Sequence, residues 1–142
     1  GGYLVDAEPH VLDALEQFGR QLGIAFQITD DLLDYLGDPQ TTGKPNGTDF
    51  REGFATLPLI HYYGAAPESE RRQLEAEFGQ PISHERFLQI REQMRLTGSL
   101  KYAEEVAERF RQSALEALAP LAPSQAKSAL EEVARFVTER KY

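Results

Sequence analysis

Apolar residues recur at steps of three and four along most of this chain, and that period predicts an all-helical fold. From Pro9, the positions Val11, Leu12, Leu15, Phe18, Leu22, Ile24, Ala25, Phe26, Ile28, Leu32, Leu33 and Leu36 trace one long helix. Pro9 suits its first turn, where the missing N–H would have had no partner anyway. After Gly19 this helix is apolar around much of its circumference, which marks it as buried and central. Gly37 to Gly53 is rich in Gly, Pro, Thr and Asn and reads as a loop, of a length that tends to be functional or disordered. Phe54 to Tyr63 reads as a short buried helix, with Pro58 near its start or kinking it, and Pro67 to Phe78 as a charged amphipathic one. Ser83 reads as the N-cap of a helix to about Leu96. Gly98 to Leu118 forms another, and Ser124 caps a last one carrying Ala126, Leu130, Val133, Ala134 and Val137. Glu, Arg and Gln stand opposite the apolar faces of these later helices, so they read as walls of a bundle. No strand, internal repeat or low-complexity tract stands out.

With 142 residues the chain is one domain, or one part of a larger one, and is large enough for a real core. Its net charge of −8 and scattered basic residues speak against nucleic acid as a partner, because a phosphate backbone would be repelled. The absence of cysteine removes disulfides, thiolate metal sites and a cysteine nucleophile, and is compatible with the cytoplasm. No apolar run approaches the roughly 20 residues of a membrane span, and no signal peptide is visible. The start at Gly1-Gly2-Tyr3 without methionine leads us to expect a fragment or a processed chain.

The candidate chemistry centres on Asp30-Asp31-Leu32-Leu33-Asp34. Asp30 and Asp34 are one turn apart, as are Asp31 and Asp34, so these side chains fall on neighbouring parts of one face. Asp30 and Asp31 diverge by about 100°. One divalent ion is then expected to take Asp30 or Asp34 directly, with Asp31 in support. Mg²⁺ is the usual partner of oxygen ligands that also hold phosphates. Gln27 and Phe26, one turn earlier, place an amide and an apolar wall in the same region. The run lies toward the C-terminal end of its helix, where the dipole disfavours carboxylates, a local violation typical of functional sites. The bland alternative is a solvated acidic face, weakened by the apolar residues around it. An EF-hand loop is excluded by spacing, and His10, His61 and His84 have no metal-ligand spacing.

In the loop that follows, Gly43 and Gly47 allow tight turns with exposed backbone N–H groups, and Lys44 offers a point charge to a diphosphate. It is not a Walker A loop. Asp49 either holds Lys44 or caps the next helix.

Gly23-Ile24-Ala25-Phe26-Gln27-Ile28-Thr29-Asp30-Asp31-Leu32-Leu33-Asp34 closely resembles the second aspartate-rich motif of the trans-polyprenyl diphosphate synthases. Gly43-Lys44-Pro45-Asn46-Gly47-Thr48-Asp49 and Gly53-Phe54-Ala55-Thr56-Leu57-Pro58 resemble the family's next block, in the same order and spacing. The resemblance runs over residues 1–142 as the C-terminal half of such an enzyme, a single domain portion; after Tyr63 it rests on pattern alone. It implies an all-α bundle of the isoprenoid synthase type around a deep cavity. It also implies condensation of isopentenyl diphosphate with an allylic diphosphate to give a polyprenyl diphosphate. By the same resemblance Asp30 binds Mg²⁺ directly with Asp31 and Asp34 supporting it, Lys44 contacts the allylic diphosphate, and Gln27 and Phe26 face the reacting carbon. A homodimer is expected of the full-length form, in the cytoplasm, with peripheral membrane association for release of a long-chain product.

The chain departs from that pattern in lacking the family's first aspartate-rich motif and the basic isopentenyl diphosphate site of the N-terminal half. Alone it is expected to be catalytically incomplete. Two other functions compete. A terpene cyclase shares the fold, but its second metal motif usually carries Asn, Ser or Thr with Glu. A non-catalytic or regulatory subunit of a heteromeric prenyl synthase would suit the missing motif, and leaves the aspartates and Lys44 less to do.

Overall fold

A computed structural model describes residues 1–37 and 46–138, and no strand occurs among the described residues. After a 3-10 turn at Gly2–Val5, the helices are α1 (Pro9–Leu36), α2 (Thr48–Glu52), α3 (Leu57–Ala65), α4 (Glu68–Glu77), α5 (His84–Leu96), α6 (Ser99–Ala117) and α7 (Gln125–Thr138). The all-α expectation holds. The chain divides into two compact units, Gly1–Thr29 with the chain from Val106 onward, and Asp30–Glu105, so that α1 and α6 each run through both.

In the first unit the core is a cluster of Phe18, Ala114, Leu118 and Ala134, flanked by half-buried Leu22, Leu115, Leu121 and Leu130. The alanines at 114 and 134 let helices approach closely, while Phe18 and Leu118 fill the space, each burial contributing roughly 1.5–3 kcal/mol. Ser124 caps α7 as its position suggests, accepting from Lys127 N–H at 3.1 Å. Lys127 Nζ donates to the Leu121 carbonyl at 2.9 Å, which ties the start of α7 to the preceding turn.

In the second unit the last turns of α1 bury Leu32 and Tyr35 one turn apart, with Phe50, Leu59, Tyr62, Leu74, Phe87, Ile90 and Met94 completing the core. Tyr35 stacks on Phe87 with ring centres 6.2 Å apart, and Phe50 meets Phe78 edge-on at 5.7 Å. The buried Tyr35 hydroxyl is satisfied by Thr56 Oγ1 at 3.1 Å. α3 packs on α5. Arg86 of α5 bridges Glu77 (2.8 Å) and Glu70 (2.9 Å), and Glu70 also accepts from the Tyr62 hydroxyl at 3.0 Å. Ser83 caps α5 by accepting from Arg86 N–H at 3.1 Å.

Two expectations need correction. The segment from Gly37 to Gly53 is not all loop, because Thr48–Glu52 is helical. Five residues are too short for a periodic signal, and this turn exists because its N–H groups find an acceptor on α1 and Gly53 ends it in the left-handed region (φ 79°). The helix expected from Phe54 begins at Leu57 and runs to Ala65. Thr56 is extended there and Pro58 fits the first turn without kinking it. Its burial is one-sided, since Ile60 and Tyr63 are exposed.

Gly47 joins the loop to the core. Its φ is +77°, and a Cβ there would stand 2.4 Å from Phe87 Cδ2. Gly47→Ala combines backbone strain with a collision against a buried ring. It is expected to destabilise the protein by about 3 kcal/mol, read as a lowered urea midpoint at unchanged m-value.

Candidate functional site

Because Leu32 and Tyr35 take the buried side of α1, the carboxylates are spread around the rest of its circumference. Asp30 is exposed, and Asp31 and Asp34 are half-buried. Phe26 and Gln27 are exposed one turn earlier on the same helix, and Phe26 has 41% of its surface open. Gly19, Gly23, Phe26 and Gln27 form an exposed stripe in the first unit, and α1 is less enclosed there than its apolar sequence suggests. Lys44, with Gly43 and Pro45, lies outside the described residues.

Asp34 turns toward the backbone that follows the loop. Its Oδ1 accepts from Thr48 N–H at 3.0 Å and its Oδ2 from Asp49 N–H at 3.1 Å. Its carbonyl accepts from Gly47 N–H at 3.0 Å. α2 has no side-chain cap of its own at Gly47, so a carboxylate from another helix supplies one. Asn46 adds a bond from Nδ2 to the Gly37 carbonyl at 2.7 Å, and Arg51 holds the Asn46 carbonyl at 2.5 Å. Asp34 rather than Asp49 caps α2, and the expected contact of Asp49 with Lys44 lies outside the described residues.

The electrostatics record how much negative charge has been gathered. Burial raises the Asp34 carboxyl above its ordinary value, and the N–H groups of Thr48, Asp49 and Gly47 with the Arg51 charge counter this only in part. Asp49 is pushed up to about 6, first by burial and then by the charges of Asp34, Asp31, Asp30 and Glu52. Asp49 is therefore a fourth member of the acidic cluster, one that sequence reasoning assigned elsewhere. Its only signal in the sequence was its place soon after a glycine loop.

Among the described residues, no group of three or more His, Asp or Glu is placed to hold a metal ion by itself. The donors present are carboxylate oxygens, which suit Mg²⁺ or Ca²⁺ rather than thiolate- or imidazole-seeking metals. An ion held by one or two carboxylates, completed by water and phosphate oxygens, fits this set, and that is the usual manner of Mg²⁺. In the first unit, Gly19, Leu22, Gly23 and Phe26 of α1 with Val133 and Phe136 of α7 line an open apolar groove of about 820 Å³. A Cβ at Gly19 or Gly23 would meet nothing within 4 Å, so the floor of this groove is bare backbone. No described helix is long and apolar enough to cross a membrane.

Residues 1–94 match the family described as polyprenyl synthetase. A geranylgeranyl diphosphate synthase of Saccharolobus solfataricus is 33% identical over 143 aligned positions, which take in 99% of this chain and 43% of that protein. A polyprenyl synthase of Caulobacter crescentus, solved in complex with calcium and isoprenyl diphosphate, is 35% identical with a TM-score of 0.87, over 96% of this chain and 42% of its own. A geranylgeranyl pyrophosphate synthase of Corynebacterium glutamicum, solved with isoprenyl diphosphate and magnesium, is 34% identical with a TM-score of 0.85, over 96% and 39%. The chain thus spans about two fifths of the length of these relatives.

The raised Asp49 carboxyl gives a pH dependence of known sign. Between its ordinary 3.8 and about 6 the folded chain keeps a proton that the unfolded chain has lost, so this group's contribution to stability falls as pH rises through that window. In metal-free buffer, Asp49→Asn is expected to raise the melting temperature at pH 7 by more than at pH 4. Equal shifts at both pH values, in thermal melts with chelator present, would show that the fold does not hold the Asp49 carboxyl above its ordinary value.

Proposed function

The chain belongs to the polyprenyl synthetase family, and we propose that it is the C-terminal part of an Mg²⁺-dependent prenyltransferase joining isopentenyl diphosphate to an allylic diphosphate. In that reaction the allylic carbon–oxygen bond breaks, a carbon–carbon bond forms to isopentenyl diphosphate, a proton is lost, and pyrophosphate departs. The observation that carries the reading is the exposed Asp30 on the same end of α1 as the half-buried Asp31 and Asp34, with Asp49 held up to about 6 first by its own burial and then by the charges of these aspartates. Such a cluster is relieved by a cation, and an ion with few protein ligands leaves positions for a diphosphate. Asp30 would hold Mg²⁺ directly, with Asp31 and Asp34 in support. When bound, the ion supplies electrostatic stabilisation of the diphosphate leaving group.

The chain's own residues would do the rest. Lys44 adds a fixed positive charge for the allylic diphosphate. Gln27 and Phe26, on the exposed stripe of α1, present an amide and an aromatic face toward the reacting carbon. The groove along Gly19, Gly23 and Phe26, mostly apolar and edged by Glu132 and Arg135, would offer a methyl-branched hydrocarbon a surface to lie on. The intact Asp30-Asp31-x-x-Asp34 favours chain elongation over cyclisation. We read the whole protein as a cytoplasmic homodimer that releases its product at a membrane surface, and this chain alone as catalytically incomplete.

The test is Mg²⁺-dependent incorporation of labelled isopentenyl diphosphate into lipid-extractable product, using the complete reading frame that contains this chain. Asp30→Ala is expected to cut turnover by orders of magnitude while far-UV circular dichroism stays unchanged; undiminished turnover would refute the role given to Asp30. Lys44→Ala is expected to raise KM for the allylic diphosphate more than for isopentenyl diphosphate, and steady-state kinetics with the opposite order would move Lys44 to the other substrate.

A further inference from the structure

In the second unit, an imidazole and two hydroxyls meet in one chain of contacts that the proposed function does not use. His61 of α3 has its Nδ1 2.9 Å from Ser99 Oγ, at the start of α6. Ser99 Oγ lies 2.8 Å from Thr97 Oγ1. Thr97 Oγ1 donates to the Gln93 carbonyl near the end of α5 at 2.8 Å, with the Met94 carbonyl at 3.3 Å. Gly98 turns between the two helices in the left-handed region (φ 73°), which brings the hydroxyls of its two neighbours together. The His61 ring stacks on Tyr102 of α6 with centres 4.3 Å apart. Ser99 is fully buried, so this serine–histidine contact admits no substrate and is not a catalytic pair.

The contacts fix which atom gives each hydrogen. A hydroxyl carries one hydrogen, and a carbonyl can only accept. Thr97 spends its hydrogen on the end of α5, so its oxygen accepts from Ser99. Ser99 has then spent its own, so its oxygen accepts from His61, and Nδ1 must carry a proton. The opposite direction would leave Thr97 Oγ1 and the Gln93 carbonyl facing each other at 2.8 Å with no hydrogen between them. We propose that His61, Ser99 and Thr97 form a one-way hydrogen-bond relay, running from Nδ1–H of His61 to the Gln93 carbonyl, that locks α3 to the end of α5. The lone pair of the neutral ring then sits on Nε2. The lock reaches α1 as well. Thr56, the residue before α3, meets the Tyr35 hydroxyl at 3.1 Å, and Phe87 of α5 stacks on the Tyr35 ring. With α3 and α5 tied to each other, Tyr35 is held between them. The relay stands whatever reaction the protein performs.

The experiment reads the His61 tautomer in the product of the complete reading frame, made with ¹⁵N-labelled histidine. Long-range ¹H–¹⁵N correlation spectra are recorded with the pH raised until the ring nitrogens stop shifting, and His61→Gln identifies the signals. The parent is expected to show a protonated Nδ1 and a bare Nε2, and the reverse pattern overturns the relay. Thr97→Val keeps the side-chain shape but removes the acceptor for Ser99, which frees the serine hydrogen for His61. It is expected to move the tautomer ratio toward Nε2–H by about fivefold or more, the factor that corresponds to one ordinary hydrogen bond. Thr97→Ser, which restores the hydroxyl, is expected to keep the parent pattern. A ratio that Thr97→Val leaves unchanged overturns the assigned direction. The lock itself is read by amide hydrogen exchange in Ser99→Ala. Ile60 N–H, which donates to the Thr56 carbonyl at 3.0 Å, is expected to exchange about fivefold faster. Ser128 N–H, bonded to the Ser124 carbonyl in the first unit, is expected to stay within twofold. Exchange at Ile60 unchanged from the parent, or quickened equally at Ser128, would show that α3 does not depend on the relay.

Discussion

Like charge gathered at the negative end of a helix is the constraint around which the second unit is arranged. α1 ends in three carboxylates with no basic residue in its last turn, and the dipole there adds to their repulsion. The chain meets this by bringing the N-terminal N–H groups of α2, which carry the opposite partial charge, onto Asp34, with Arg51 adding a full positive charge nearby. The compensation is local. It covers the inward carboxylate and leaves the outward one exposed, and Asp49 is raised first by its own burial and then by these neighbouring charges.

That arrangement holds only because the ground beneath it is stiff. Tyr35 follows Asp34 directly, and its ring is fully buried against Phe87 while its hydroxyl meets Thr56. Phe87 in turn closes the space over Gly47. Phe87 lies on α5, whose neighbour Arg86 is held by Glu70 and Glu77 of α4 in a partly buried network. Where a pair is this sheltered, removing one partner leaves an uncompensated charge, so the network ties α4 to α5 more firmly than exposed pairs such as Arg72–Glu68 tie anything. The direction of the Asp34 carboxylate thus depends on packing two helices away.

Most of the fold was legible because long helices carry long periodic signals. Pro9 and Leu36 bounded α1, Ser83 and Ser124 announced α5 and α7, and tertiary contacts did not override them. What escaped had no period to read. α2 is five residues stabilised by a carboxylate fourteen positions away, a dependence that no local window contains. The start of α3 was masked by Phe54 and Ala55, apolar residues that stay exposed before Thr56. At the site, Asp30, Asp31 and Asp34 were visible as a cluster, but their spacing alone could not assign each a direction. That is set by which neighbours, here Leu32 and Tyr35, the core claims. Asp49 entered the cluster through tertiary folding, which a spacing rule cannot foresee.

The same division explains why an aspartate-rich motif need not be a cage. A closed set of three carboxylates would satisfy a small divalent ion without substrate, and would then have to give up a ligand before a diphosphate arrived. With Asp34 spent on the backbone and no three acidic groups converging among the described residues, these residues by themselves supply too few oxygens to complete an octahedron. On the proposed function, the negative charge at Asp30, Asp31 and Asp49 would attract a cation whose coordination sphere is completed when phosphate oxygens join it. On that reading metal and diphosphate binding would be coupled by geometry. The ion would be held most tightly when the leaving group it must stabilise is in place, as charge stabilisation at a transferring group requires.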